Sequence, residues 1–250
     1  MGDAARHGFA LSGVDHRRRR ALLALSALLL LAAALRFAAL DFGGPGVPAR
    51  PDEEAVAFTF AGMDRGQLTP GLVLYGGGYF YPLRAFVRPW DASTGPLADS
   101  KSADERSAFA RLVAARGWSA LLSVATVAAA YLLGTRLAGR AVGLLAAALV
   151  ASCTLAVREA HFAKPDSAAA FAAAVFLLAA THRFARRDAG AIAVGAALAF
   201  ALSVKASIDL LPAGVYALAR PPGDATPGVS WRSLLVGAAA TALFTLAWNP

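Results

Sequence analysis

Three consecutive carboxylates, Asp52-Glu53-Glu54, follow the apolar run Ala21 to Leu40, and that run is preceded by Arg17-Arg18-Arg19-Arg20. Arginines stay on the cytoplasmic side of a span, so the acids fall on the opposite face. A carboxylate held there can take a proton from a hydroxyl at the membrane surface, or hold a divalent cation. The plainer reading is that acids in a first helical turn gain about 0.3–1 kcal/mol each from the helix macrodipole. The triplet alone fits both.

Two other groups could carry chemistry. Arg158, Glu159, His161, Lys164 and Asp166 crowd one short connection between apolar runs. Such a mixture is either a solvated hairpin or a site where acids and a histidine meet a metal and cations meet a phosphate. Lys205 and Asp209 are four apart on adjoining apolar runs, a spacing at which an ion pair neutralises itself. Alternatively, Lys205 points into a cavity and binds an anion, the usual reading of an ionisable group near a membrane. No Ser-His-Asp ordering, phosphate-cradling glycine loop or nucleotide fingerprint occurs.

The elements that must position these residues are membrane helices. Hydrophobic residues make up 58% of the 250-residue chain and charged residues 16%, which leaves too little polar cover for a soluble domain. The net charge of +8 is spread over short connections rather than one aromatic-laced face, so no nucleic-acid partner is expected. The lone cysteine, Cys153, excludes an internal disulfide and a zinc-thiolate cluster. Residues 1–20 read as a disordered basic cytoplasmic tail, and residues 21–40 are long enough to span without being a cleaved signal.

The segment 41–115 reads as an external loop with interfacial helices. A helix should start at Pro51, put Val56, Phe60 and Met63 on one face, and stop at Gly66. Tyr75 to Pro82 reads as a flexible aromatic turn, and 102–116 as a surface-lying amphipathic helix. Further spans are expected at about 117–135, 141–157, 167–181, 190–204, 207–219 and 233–248. Alternation puts Arg36 at the outer end of the first span, ready to snorkel, and collects the arginine-rich connections inside. The expected fold is an all-α polytopic transmembrane bundle of about seven spans.

In order and sidedness these parts resemble the GT-C superfamily of membrane glycosyltransferases, in particular its protein-mannosyltransferase-like and aminoarabinose-transferase-like bacterial members. The resemblance runs over roughly residues 20–250 and rests on "RPDEEAVAFTF", "YFYPLRAF", "ARGWSALLSV", "REAHFAKPDSAAAF" and "LSVKASIDLLP". It implies a catalytic Asp52 with Glu53 as its acidic neighbour, and a framing second turn at His161 and Asp166. It further implies cations Arg116 and Lys205 near the phosphate of a polyprenyl-phosphate-linked sugar. Asp52 and Asp166 are its candidate metal ligands, since two carboxylates and a histidine permit a divalent ion without requiring one. The implied setting is a bacterial inner membrane, with a cytoplasmic N-terminus, a periplasmic 41–115 loop, surrounding membrane lipids as partners, and a protein, lipid or glycan acceptor left open. Domains 1–20 and 21–250 follow, the second reading as the N-terminal part of a longer transferase because the chain stops directly after an apolar run. The rival readings are a transporter or permease fragment, which would show paired halves and midplane charges, and a non-catalytic membrane scaffold.

Overall fold

In the computed structural model the described residues are 3–44, 50–67, 75–93, 101–182, 187–205 and 231–248. Their regular elements are helices: α1 (Asp3–Phe37), α2 (Pro51–Asp64), α3 (Gly77–Ser93), α4 (Lys101–Ala138) and α5 (Arg140–Ser152). These are followed by α6 (Thr154–Ala160), α7 (Asp166–Ala180), α8 (Arg187–Val204) and α9 (Trp231–Trp248). The described residues therefore adopt the expected all-α architecture. By length and composition Arg18–Phe37 and Arg106–Ala138 can cross a membrane, and α5 with α6 counts as a third such segment if the bent pair is one span. Helices α7, α8 and α9 are apolar but shorter, and the run read as a span at 207–219 lies outside the described residues, as does Asp209.

Three local expectations need correction. The basic segment read as a disordered tail is helical from Asp3, continuous with the first span. A nucleated helix propagates through residues that contain no proline to stop it. The aromatic turn is instead the start of α3, which runs from Gly77 to Ser93 with Pro82 and Pro89 inside it. Its Tyr79, Phe80, Leu83 and Val87 are buried at helical spacing, and that packing outweighs the glycines and prolines. Finally, the surface helix and the second span are one helix, α4, of 38 residues. At 1.5 Å per residue it is about 57 Å long.

Helix α2 forms as expected. Arg50 enters in an extended conformation, Pro51 opens the first turn, the three acids follow, and Gly66 leaves with φ +86. Val56 and Phe60 are buried against α3, α4, α7 and α8 in one cluster with Tyr79, Phe80, Leu83, Ala114, Ala115 and Val204, and Met63 packs on its edge.

Helix α4 is the axis of the bundle, with α1, α3, α5 and α7 packed along it, while α8 leans on α7 and α3 and carries α9. Small residues let these backbones approach, as they must where lipid offers no hydrophobic contrast. The α4–α5 turn uses Gly139 at φ +88, and beyond it Gly143 lies against Tyr131, where a Cβ would sit 2.6 Å from the carbonyl oxygen. At the far end of α4, Arg136 donates to the Leu178 carbonyl at 2.8 Å, and Arg232 pairs with Asp188 at 2.6 Å.

The chain breaks by 57° between α5 and α6, at Cys153. That break frees carbonyls in the last turn of α5. Arg36 takes them: its guanidinium donates to Ala151 O at 3.0 Å and Val150 O at 2.9 Å, and to Ser123 Oγ at 2.7 Å. Arg36 is fully buried, so it turns inward rather than snorkelling to headgroups.

The close approach at Gly143 yields a paired test. Gly143→Ala should cost about 1–3 kcal/mol by overpacking against backbone. Gly117→Ala, in α4 with nothing within 4 Å of the added Cβ, should gain about 0.5–1 kcal/mol from helix propensity. Thermal unfolding of the purified protein in detergent checks both signs.

Candidate functional site

The ends of α1 and α8, the starts of α2 and α7, the α6–α7 turn and the middle of α4 meet at one end of the bundle. What joins them is an ion pair. Arg116 Nε donates to Glu53 Oε1 at 2.8 Å and Nη2 to Oε2 at 2.9 Å, with both side chains fully buried. Two parallel bonds of this kind are the strong, planar form of the arginine–carboxylate contact. Nη1 donates to the carbonyls of Leu40 at 2.8 Å and Phe42 at 2.7 Å, just beyond α1. Glu53 Oε1 also accepts the Ala163 N–H at 3.0 Å. The Phe42 ring lies 4.0 Å from the guanidinium carbon and meets Phe162 edge-on, and Arg50 covers the other ring.

A second, more exposed network lies alongside. Asp52, half-buried, accepts the Tyr75 hydroxyl at 2.9 Å on Oδ1. The Tyr75 backbone forms an antiparallel bridge with Lys205, at the end of α8. Lys205 Nζ reaches Asp166 Oδ1 at 2.8 Å, and Lys164 Nζ lies 3.2 Å from Asp166 Oδ2. Lys164 also pairs with Glu159, which accepts from Arg158. Signs alternate from Asp52 to Arg158, and the Lys205 and Asp166 side chains are 44% and 37% exposed, so this network can exchange partners.

The electrostatics follow the geometry. Burial, then the hydrogen bond to Asp52, push the Tyr75 phenol up to about 12, so it stays a donor throughout the neutral range. Burial also raises the Tyr79 phenol well above its usual value, helped by Tyr75, Asp166, Glu53 and Asp52. The Tyr79 hydroxyl is enclosed and has no hydrogen-bond partner among the described residues. For Asp166 burial raises the pKa, but the hydrogen bonds from Lys205 and Lys164 outweigh it and hold the carboxyl below its ordinary range.

The residues read from sequence separate into two kinds. Asp52, Asp166 and Lys205 lie in the exposed network. Glu53 and Arg116 are enclosed, and Arg116 makes four hydrogen bonds to protein, so it is not presented to a lipid phosphate as the resemblance implied. His161 stands aside: Nδ1 lies 2.7 Å from Val157 O and Nε2 3.1 Å from Ala38 O. Both ring nitrogens face carbonyls, so neither is offered to an ion. Glu54 is exposed. Among the described residues no three His, Cys, Asp or Glu side chains gather as a metal cluster, and the candidate ligands Asp52 and Asp166 are held by a tyrosine and by lysines. Sequence reasoning missed Tyr75 and gave Lys164 no separate role. Tyr75 borders three glycines, which read as a turn rather than as the entry to a packed helix.

Residues 94–220, half of the chain, match the model of the family described as dolichyl-phosphate-mannose-protein mannosyltransferase. The match covers Arg116, the 158–166 turn and Lys205, and begins after Asp52. Neither the comparison with curated proteins nor that with solved structures gives a match.

Two outcomes follow from the networks. Glu53→Gln or Arg116→Met alone leaves a buried charge or donors unpaired and should cost about 3–5 kcal/mol. Glu53→Leu with Arg116→Met should cost less than the sum of Glu53→Leu and Arg116→Met alone, by about 0.5–3 kcal/mol, in unfolding titrations of the purified proteins. Because the Asp166 carboxyl is lowered, its stabilisation is present above the unfolded value of 3.8 and lost as pH falls through the lower folded value. Asp166→Asn should therefore flatten the acid limb of stability against pH below about pH 4.

Proposed function

Because the chain belongs to this family of membrane glycosyltransferases, we propose that it transfers a sugar from a polyprenyl-phosphate donor to an acceptor hydroxyl, with Asp52 as general base. The reaction is set at the outer face of a bacterial inner membrane. The observation that carries the assignment is the division of labour within the acid triplet. Glu53 is consumed by Arg116, Glu54 points to solvent, and Asp52 stands half-buried with a hydrogen bond from Tyr75.

The acceptor oxygen attacks the anomeric carbon as its proton passes to Asp52. The bond from that carbon to the phosphate oxygen breaks, and polyprenyl phosphate leaves with the electron pair. Lys205, half-exposed and paired with Asp166, is the cation positioned to exchange a carboxylate for the phosphate. Arg116 is assigned to holding α2 rather than the donor. Lipid phosphate is a fair leaving group, so positioning and a base supply most of what the step requires.

Asp52→Asn should lower transfer of a labelled sugar from polyprenyl phosphate, in membranes bearing the full-length gene product, by about 10²–10⁴-fold at normal expression. Glu54→Gln should leave the rate within about twofold, the behaviour of a solvated residue. Undiminished transfer by Asp52→Asn would remove the residue from the mechanism.

A further inference from the structure

We propose that Tyr75 is a positioning residue for Asp52, and that its backbone bridge to Lys205 sets the spacing between the base and the phosphate-binding cation. The inference rests on the reading of Asp52 as base and Lys205 as anion ligand.

Three observations carry it. First, the Tyr75 hydroxyl donates to Asp52 Oδ1 at 2.9 Å, and its phenol stays protonated far above neutral pH. It occupies one oxygen of the carboxylate, fixes the carboxylate plane, and leaves Oδ2 to receive the acceptor proton. Second, the phenol ring is itself fixed. It packs 6.4 Å from the Tyr79 ring, edge-on, and 6.5 Å from the Phe80 ring, and both neighbours are buried in the α2–α3–α4–α7–α8 core. A hydrogen-bond donor mounted on a packed wall orients its acceptor more narrowly than one on a free side chain. Third, residue 75 is the point where the segment entering α3 pairs its backbone with the segment leaving α8. One residue thus holds the base through its side chain and the Lys205 segment through its main chain. Gly78 makes this approach close, since a Cβ there would lie 3.0 Å from the Ser203 backbone carbon.

The two attachments are separable by substitution. Tyr75→Phe deletes the hydroxyl but keeps the ring and the backbone bridge, so the donor site stays intact while the base loses its support. A carboxylate misplaced by about 1 Å costs about 10²-fold. The expected result is a fall in kcat of about 10–100-fold with KM for the polyprenyl-phosphate sugar unchanged. Lys205→Met should do the reverse, raising that KM with a smaller effect on kcat. Thermal unfolding of Tyr75→Phe, expected within a few degrees of the parent, checks that the fold is kept.

Wild-type kcat in Tyr75→Phe would overturn the proposal, as would a raised KM with kcat intact, which would put the hydroxyl on the donor. Should Tyr75→Phe fail to fold, Tyr75→Trp keeps an aromatic ring on the same wall without the phenol, and wild-type kcat there would overturn the proposal equally. Asp52→Asn run in parallel separates the two levels. If it is inactive while Tyr75→Phe is unaffected, only the positioning role fails; if it retains full transfer, the base assignment itself fails.

Discussion

The buried pair between Glu53 and Arg116 is the constraint on which the other contacts at this end of the bundle depend. Taking two charges out of water costs several kcal/mol each, and the cost is recovered only when geometry is good and the remaining donors and acceptors are satisfied. Here they are: the pair is bidentate, Nη1 serves two carbonyls beyond α1, and a glutamate oxygen receives the Ala163 amide. Three segments distant in sequence are tied, directly or through Glu53, to one guanidinium on α4, the longest helix described. Loss of either charge would release α2, the exit of α1 and the α6–α7 turn together.

The same pair explains how adjacent acids come to do different things. Successive helical residues point about 100° apart, so fixing Glu53 inward on Arg116 turns Asp52 toward Tyr75 and Glu54 toward solvent. Asp52 thus inherits a defined position from its enclosed neighbour, and under the proposed mechanism only Asp52 receives the proton. Lys205 and Asp166 belong to the other regime: both are partly exposed, where water weakens the pair and lowers the cost of exchanging a partner. A rigid enclosed pair beside an exchangeable network is what a site needs when one group must stay and another must receive a ligand.

Much of this was legible in the sequence, and the parts that were not have physical reasons. Apolar runs and arginine sidedness located most helices, and Pro51 with its acids and Gly66 located α2 at both ends. Those signals are local. Helix α3 is not legible locally because Gly77, Gly78 and Pro82 are poor helix residues in isolation, and only the burial of Tyr79, Phe80, Leu83 and Val87 makes the helix the better choice. The amphipathic and apolar halves of α4 read as two helices meeting at residue 117, yet Gly117 is too weak a breaker to part them. The pairings of Glu53 with Arg116 and Tyr75 with Asp52 span 63 and 23 residues, beyond anything a local pattern encodes.

Arg36 and Arg116 show where the expectation about charges in membrane proteins needs refinement. An ionisable residue in an apolar run is by default a functional candidate. Both arginines are nevertheless enclosed, and both face carbonyls where a helix ends or breaks: Arg36 at the end of α5, Arg116 just past the end of α1. A helix ending inside an apolar bundle leaves carbonyls that neither lipid nor water can satisfy. A guanidinium carries five donors and no acceptor, which suits it to that task, whereas lysine concentrates three donors at one flexible point. Arginine at a helix break therefore argues first for backbone satisfaction. Lys205, whose partner Asp166 is a partly exposed carboxylate, is by contrast the cation to which the proposed function assigns the phosphate.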